Sequence, residues 1–63
     1  MKHWDFVELQ ATIYNLIEGE GPTTIQGIQA KIKWAGEQDI IQAIYELEDK
    51  NAIKQEGINI RID

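Results

Sequence analysis

Two short helical patterns followed directly by a hairpin pattern make up the C-terminal part of this chain, and this order limits the possible folds more than any other feature. The helical patterns cover residues 24–32 and 37–50. The hairpin pattern covers residues 52–62, where isoleucines alternate with polar residues after Gly57. Alternation with a period of two is typical of a strand with one buried face. The sequence therefore predicts a mainly helical domain that ends in a small β-hairpin.

A further helix is predicted ahead of these two, at residues 5–18. Asp5 is a suitable N-cap, because its carboxylate can accept hydrogen bonds from the free N–H groups of the first turn. Gly19 is expected to end this helix in a left-handed conformation, with Pro22 preventing its continuation. One face of the helix carries apolar residues at helical spacing. These residues are Phe6, Leu9, Ile13, Leu16 and Ile17.

The length and the composition limit what else the chain can contain. A chain of 63 residues is expected to form one domain, residues 1–63, and one this small buries only about 60% of its unfolded surface. The sequence has no cysteine and one histidine, His3, so neither a disulfide nor a zinc site is expected, and no cofactor is predicted. No long apolar run suggests a signal peptide or a membrane span. We expect a cytoplasmic protein with neither a membrane nor a small molecule as a partner.

The connections between elements lead to three further expectations. Helix two can begin at either Thr23 or Thr24, since both fit a cap. Gly27 inside it suggests that another backbone comes close or that the helix is irregular. Trp34, between helices two and three, is expected to be an apolar core residue that fixes the angle between them. The inward stripe of helix three is predicted to be Ile40, Ala43, Ile44 and Leu47.

The register of the hairpin can be predicted from the parity of its isoleucines. Pairing of Lys54 with Asn59 would place all four isoleucines on one inward face. These are Ile53, Ile58, Ile60 and Ile62. The loop would then contain an even number of residues around Glu56 and Gly57, either two or four.

The segment at residues 40–54 carries a resemblance to a known family. It contains Leu47, three charged residues, Asn51, an apolar pair and Lys54 in that order. From residue 24 to about residue 62 the chain resembles a winged helix-turn-helix domain of bacterial and archaeal transcriptional regulators, which typically has a glycine where Asn51 stands. Asparagine is the next residue most tolerant of a left-handed conformation. The resemblance implies a winged helix, whose partner can be either DNA or protein.

The charge distribution argues against DNA as the main partner. The net charge is −5, and helix three carries five acidic residues against Lys50 alone. Specific DNA binders often make about 6–10 phosphate contacts, whereas the six basic residues here are scattered over the chain. DNA binding is therefore the alternative. It would use Gln38 and Gln42 for bases and Lys31, Lys33, Lys54 and Arg61 for phosphates.

The preferred prediction is a small non-enzymatic module that regulates transcription or another nucleic-acid process mainly by binding protein. Helix three would supply the contact surface, made of Asp39, Ile41, Gln42, Tyr45 and Glu46. Alternatively, Ile41 and Tyr45 simply lie under the N-terminus. A second apolar face of helix one either packs within the chain or meets a partner, most simply a second copy in a homodimer. It consists of Trp4, Val7, Ala11 and Tyr14.

No catalytic residues are predicted. The chain has no cysteine, one histidine near its N-terminus and no glycine-rich phosphate loop. The carboxylates of helix three are far more often a solvated helix face than an acid–base pair. We therefore do not expect an enzyme.

Overall fold

The computed structural model describes residues 3–63 and contains three helices followed by one antiparallel hairpin. This confirms the predicted mainly helical class with a small hairpin. The helices are α1 (Phe6–Glu20), α2 (Ile25–Lys31) and α3 (Glu37–Asp49), and the strands are β1 (Ile53–Glu56) and β2 (Asn59–Ile62). All five elements contribute buried side chains to one core.

The apolar faces predicted for the helices form that core. Ile40, Ala43, Ile44 and Leu47 of α3 are all buried. Leu9, Ile13 and Ile17 of α1 are buried as well, with Phe6 and Leu16 packed against them. Ile28 and Ile32 come from α2 and its C-cap, and Ile53 and Ile60 close the core from the hairpin. Burial of each large aliphatic side chain contributes about 1.5–3 kcal/mol, which is the main stabilising term in a domain without disulfides.

Helix α1 begins as predicted and ends later than predicted. The Asp5 carboxylate accepts a hydrogen bond from the backbone N–H of Glu8 at 2.8 Å, as an N-cap should. Gly19 does not end the helix, which continues to Glu20; the left-handed residue is instead Gly21, with φ 87°. Pro22 explains the difference, since a residue before proline is excluded from the helical conformation. The chain must therefore leave the helix at Gly21.

The start of α2 depends on Thr24 and on the glycine that follows it. Thr24 is the N-cap, and its hydroxyl accepts a hydrogen bond from the N–H of Gly27 at 3.0 Å. A Cβ added at Gly27 would lie only 2.6 Å from the Thr23 hydroxyl oxygen. The close approach at this glycine therefore comes from the Thr23 side chain and not from another stretch of backbone, as was expected.

The C-terminus of α3 explains the asparagine at position 51. Asn51 has φ 63° and is the only residue other than glycine with a positive φ in the described part of the chain. Its N–H donates to the carbonyl of Glu48, and the N–H of Ala52 donates to the carbonyl of Leu47, each at 2.9 Å. These two bonds form a complete Schellman motif, which requires a left-handed residue at this position. The turn directs the chain into β1.

The hairpin register differs from the predicted one by two residues. Lys54 pairs with Arg61 and not with Asn59, and Glu56 pairs with Asn59, which leaves Gly57 and Ile58 as a two-residue loop. Of these two loop residues only Gly57 has a positive φ, 63°, as expected for a type II′ turn with glycine first. A two-residue loop in the predicted register would place Glu56 first, where primed turns need a positive φ, whereas the observed register gives that position to Gly57.

The consequence for the isoleucines is mixed. The shift by two residues preserves parity, so Ile53, Ile60 and Ile62 share the inward face. Ile58 was expected on that face and is instead 78% exposed, because it lies in the turn. On the other edge of β2, Thr23 forms a bridge with Ile60 through N–H···O bonds of 3.0 and 2.6 Å. The hairpin is therefore held to the segment between α1 and α2.

Trp34 does not have the core position expected for it. Its side chain is 47% exposed, whereas Ile32 and Ala35 are the residues of this connection that pack into the core. The indole contacts Trp4 edge-to-face, with the ring centroids 5.7 Å apart. Ile32 and Ala35 take the inward positions of this five-residue connection (32–36), so Trp34 lies outside and contacts Trp4.

Candidate functional site

The outward side of α3 is the candidate functional surface. Four exposed side chains follow this side at spacings of three and four residues, and we call them the helix-three strip: Gln38, Gln42, Tyr45 and Asp49. Tyr45 is 58% exposed and is the only large apolar side chain of the four. Ile41, one turn before Tyr45, is half-buried and adjoins the strip. A tyrosine with neighbouring aliphatic surface, surrounded by polar groups, can insert into a partner and still hydrogen-bond through its hydroxyl.

Two residues predicted to belong to this surface are directed elsewhere. Asp39 is half-buried in the first turn of α3, with its carboxylate close to Gly36, where a negative charge suits the positive end of the helix dipole. Glu46 is also half-buried, and it accepts a hydrogen bond from α1. Of the five predicted contact residues, the structure therefore places Gln42 and Tyr45 outward, Ile41 at the margin, and Asp39 and Glu46 largely against the domain itself.

Glu46 belongs to a polar network that the sequence analysis missed. Gln10 of α1 is only 6% exposed, and its Nε2 donates to Glu46 Oε1 at 3.2 Å. Its Oε1 accepts from Lys50 Nζ at 2.6 Å. The spacing of Gln10 from Ile13 and Ile17, three and seven residues, was the available signal, because it places the glutamine on the edge of the buried face. The network fixes α3 against α1 and uses the basic residue nearest to the helix-three strip.

The second apolar face of α1 is partly covered by the chain. Trp4 contacts Trp34 and also Phe6, whose ring centroid is 5.5 Å away. Tyr14 is half-buried against the core. Val7, 74% exposed, and Ala11 remain open to solvent. Two small exposed side chains fall well short of the roughly 800 Å² per partner of a standard interface, so a homodimer through this face would need additional contacts.

Two of the four basic residues predicted for DNA contact are paired with carboxylates. Arg61 Nε contacts Glu56 Oε1 at 2.5 Å, and Lys31 forms an ion pair with Glu20. Lys33 and Lys54 are both exposed, and within residues 3–63 neither makes a side-chain hydrogen bond or an ion pair. Exposed ion pairs are worth only about 0–1 kcal/mol and can rearrange, but each carboxylate still cancels the field of its cation. Of the four basic residues predicted for DNA contact, Lys33 and Lys54 therefore keep an uncompensated charge.

The described residues contain no cluster of three or more histidine, aspartate or glutamate side chains that could hold a metal ion. None of the three helices is long and apolar enough to cross a membrane. Comparison with known proteins finds no family model, no curated protein and no solved structure that matches this chain. The surface geometry is therefore the main basis for assigning a function.

Proposed function

We propose that this chain is a winged-helix module, without enzymatic activity, that acts mainly through protein–protein contacts in transcription or another nucleic-acid process. The order of elements supports the winged-helix class, since α2, a short connection and α3 are followed at once by the hairpin. The bridge between Thr23 and Ile60 adds support, because it ties the hairpin to the helices as a wing would be.

The observation that carries the proposal is the exposed Tyr45 in a strip without a cation. Tyrosine is enriched among the residues that dominate interface energies, and arginine is the charged residue most enriched with it. On the helix-three strip the tyrosine stands with two glutamines and Asp49. Such a surface fits a partner that offers an apolar pocket with basic groups around it. The same strip repels a phosphate backbone.

DNA binding is the second candidate, and one specific observation favours it. Gln38 and Gln42 are both exposed and lie one turn apart on α3, in the position that a helix in the major groove uses to read bases. Lys33 and Lys54 are free to contact phosphates. The acidic residues of α3 and the occupied state of Lys31 and Arg61 count against this candidate.

A DNA titration separates the two candidates. Fluorescence anisotropy with a random duplex at low salt should show no salt-sensitive binding up to tens of micromolar protein, since non-specific binding depends on counterion release. The matched variant is Lys33→Gln with Lys54→Gln, which removes the two uncompensated cations and leaves the internal pairs intact. Micromolar binding that falls steeply with salt and disappears in this variant would make DNA the primary ligand.

Site-specific photo-crosslinking tests the protein contact directly. A photoreactive phenylalanine analogue replaces Tyr45 in cells that produce the protein naturally, and the same analogue replaces Asn15 as the control. Asn15 is exposed on α1, outside both predicted surfaces. We expect one discrete protein adduct from position 45 and none from position 15. Adducts of equal yield from both positions, or none from position 45, would contradict the proposal.

A further inference from the structure

The Tyr45 ring and the Asp49 carboxylate lie one turn apart on the exposed side of α3. Residues four positions apart on a helix have neighbouring side chains, with Cβ atoms about 5–6 Å from each other. Tyr45 is 58% exposed, and within residues 3–63 neither side chain makes a hydrogen bond or an ion pair. An open aromatic ring and a free carboxylate are therefore adjacent on this surface.

Helix α3 supplies no cation for this carboxylate. Lys50 is the only basic residue of the helix and its caps, and its ammonium donates to the Gln10 amide oxygen of α1 at 2.6 Å instead of pairing with Asp49. The residues three and four positions before Asp49 are Glu46 and Tyr45, so no lysine or arginine precedes it at ion-pair spacing. The Asp49 carboxylate is therefore open to a cation from outside the chain.

We propose that Tyr45 and Asp49 together receive an arginine side chain of the partner protein. A guanidinium group is flat, so it lies over the tyrosine ring while two of its N–H groups donate to the carboxylate. The ammonium of lysine is compact and strongly hydrated, and it lacks the fork of donors that matches a carboxylate. Gln42, one turn before Tyr45, is exposed and offers its amide oxygen to a further N–H. The inference rests on the proposed function, since it names the group that the partner places on the helix-three strip.

The charge of the molecule favours a basic segment over the other occupants of this surface. The chain carries a net charge of −5, and α3 alone carries five acidic residues. A second copy would bring two acidic helices together, and a phosphate backbone would meet the same repulsion. A purely apolar partner surface would cover the Asp49 carboxylate and leave it without water or a counter-charge, which is costly. An arginine with apolar neighbours is attracted by the net charge and satisfies both Tyr45 and Asp49.

A pair of model peptides tests the preference for arginine on the purified chain. Tetra-arginine and tetra-lysine, both with blocked termini, carry the same charge and differ only in the cationic group. Each is titrated at low salt into ¹⁵N-labelled protein, and the amide shifts locate the contact. Tetra-arginine should shift the amides of residues 42–49 most, with a dissociation constant on the order of 1 mM. Tetra-lysine should bind at least about threefold more weakly.

Matched variants separate the site from the general attraction of an acidic protein. Asp49→Asn and Glu18→Gln each remove one exposed carboxylate that has no partner within residues 3–63, so the net charge changes equally. Asp49→Asn and Tyr45→Leu should each remove the preference for tetra-arginine, and Glu18→Gln should keep it. Equal affinity of wild type for both peptides, shifts centred outside residues 42–49, or equal weakening by Asp49→Asn and Glu18→Gln would each overturn the inference. All three positions are exposed, and the amide spectrum of each variant verifies its fold.

The arginine inference and the proposed function fail in different experiments. A discrete crosslinked adduct from position 45, together with equal affinity for the two peptides, would support the protein contact and overturn the arginine inference. A preference for tetra-arginine that depends on Tyr45 and Asp49, without an adduct from position 45, would support the arginine site and contradict the proposed protein contact. The peptide titration uses only the purified chain, so its result does not depend on finding the partner.

Discussion

Truncation of Gln10 should destabilise the domain more than its polarity suggests. The side chain is 6% exposed between α1 and α3 and makes two hydrogen bonds, both to charged partners. Gln10→Ala removes both bonds, leaves a gap in the helix–helix contact and leaves Glu46 half-buried without its donor. The sequence alone would class this residue as an ordinary helix-surface glutamine.

The magnitude follows from the environment of each partner. Hydrogen bonds to charged groups contribute about 1.5–3 kcal/mol when buried, but Lys50 is exposed and Glu46 is half-exposed, so about 1 kcal/mol each is the better figure. The gap increases the loss of unfolding free energy by a fraction of about 1 kcal/mol, and the better helix propensity of alanine reduces it by a similar amount. The expected loss is about 2 kcal/mol. A domain of 63 residues has a total stability of only about 3–9 kcal/mol, so this loss is a large share of it.

Equilibrium unfolding in urea, followed both by circular dichroism and by the fluorescence of Trp4 and Trp34, measures this loss. With a slope near 1 kcal/mol per molar urea for a small domain, the midpoint should fall by about 2 M. Gln10→Leu keeps the volume and lets Glu46 pair directly with Lys50 one turn away, so its loss should stay below about 1 kcal/mol. Asn15→Ala on the exposed side of α1 is the control and should not destabilise the domain.

The reasoning fails if Gln10→Ala unfolds within about 0.5 kcal/mol of wild type, the range of ordinary surface substitutions. It also fails if Gln10→Ala and Glu46→Ala add without coupling, because residues in one hydrogen-bond network should couple by at least about 0.5 kcal/mol. Either result would mean that water replaces the network at no cost.

Substitutions at four further positions test the turns, the caps and a helix interior, with thermal or urea unfolding as the measurement. Asn51→Ala should cost about 1 kcal/mol because alanine is strained at φ 63°, whereas Asn51→Gly should be neutral or slightly stabilising; equal effects would contradict the Schellman geometry. Gly57→Ala should cost about 1 kcal/mol for the same reason, and the same change at Gly19 inside α1, where nothing lies within 4 Å, should stabilise by about 0.5 kcal/mol. Thr24→Ala should cost about 1 kcal/mol and Thr24→Ser almost nothing, unless the Thr24 hydroxyl is not the cap.

The helices could be predicted from the sequence because their apolar residues recur at a strict period. Every residue assigned to the inward stripe of α3 is buried, and α1 differs from its predicted span only at its ends. The end at Glu20 was missed because Gly19 competed with Gly21 as the terminating glycine, and only the effect of Pro22 on its predecessor decides between them. At the other helix ends, the helical period and the capping residues were sufficient to predict the span, because each depends on residues close in sequence.

The errors occurred where the outcome depends on residues distant in sequence. The hairpin register was predicted from parity, which two alternative registers share, so Ile58 was placed inward although it lies in the turn. Trp34 was assigned to the core on size alone, although Ala35 already fills the inward position beside α3. Gln10 was missed because its partners, Glu46 and Lys50, are 36 and 40 residues away along the chain. Long-range pairing of this kind leaves almost no trace in a single sequence.

The Gln10 network also changes how the acidic helix should be interpreted. Glu46 and Asp39 contribute negative charge to α3, but both lie largely against the domain, so their side chains serve the fold at least as much as a partner. A variant at Glu46 that lost partner binding would therefore be ambiguous, because it would lose stability as well. Tyr45 and Gln42 carry no such ambiguity, since both are exposed and neither side chain makes a hydrogen bond within residues 3–63. If α3 binds a partner as proposed, recognition depends on the narrow helix-three strip, and a partner selected by so few side chains must match Tyr45 closely.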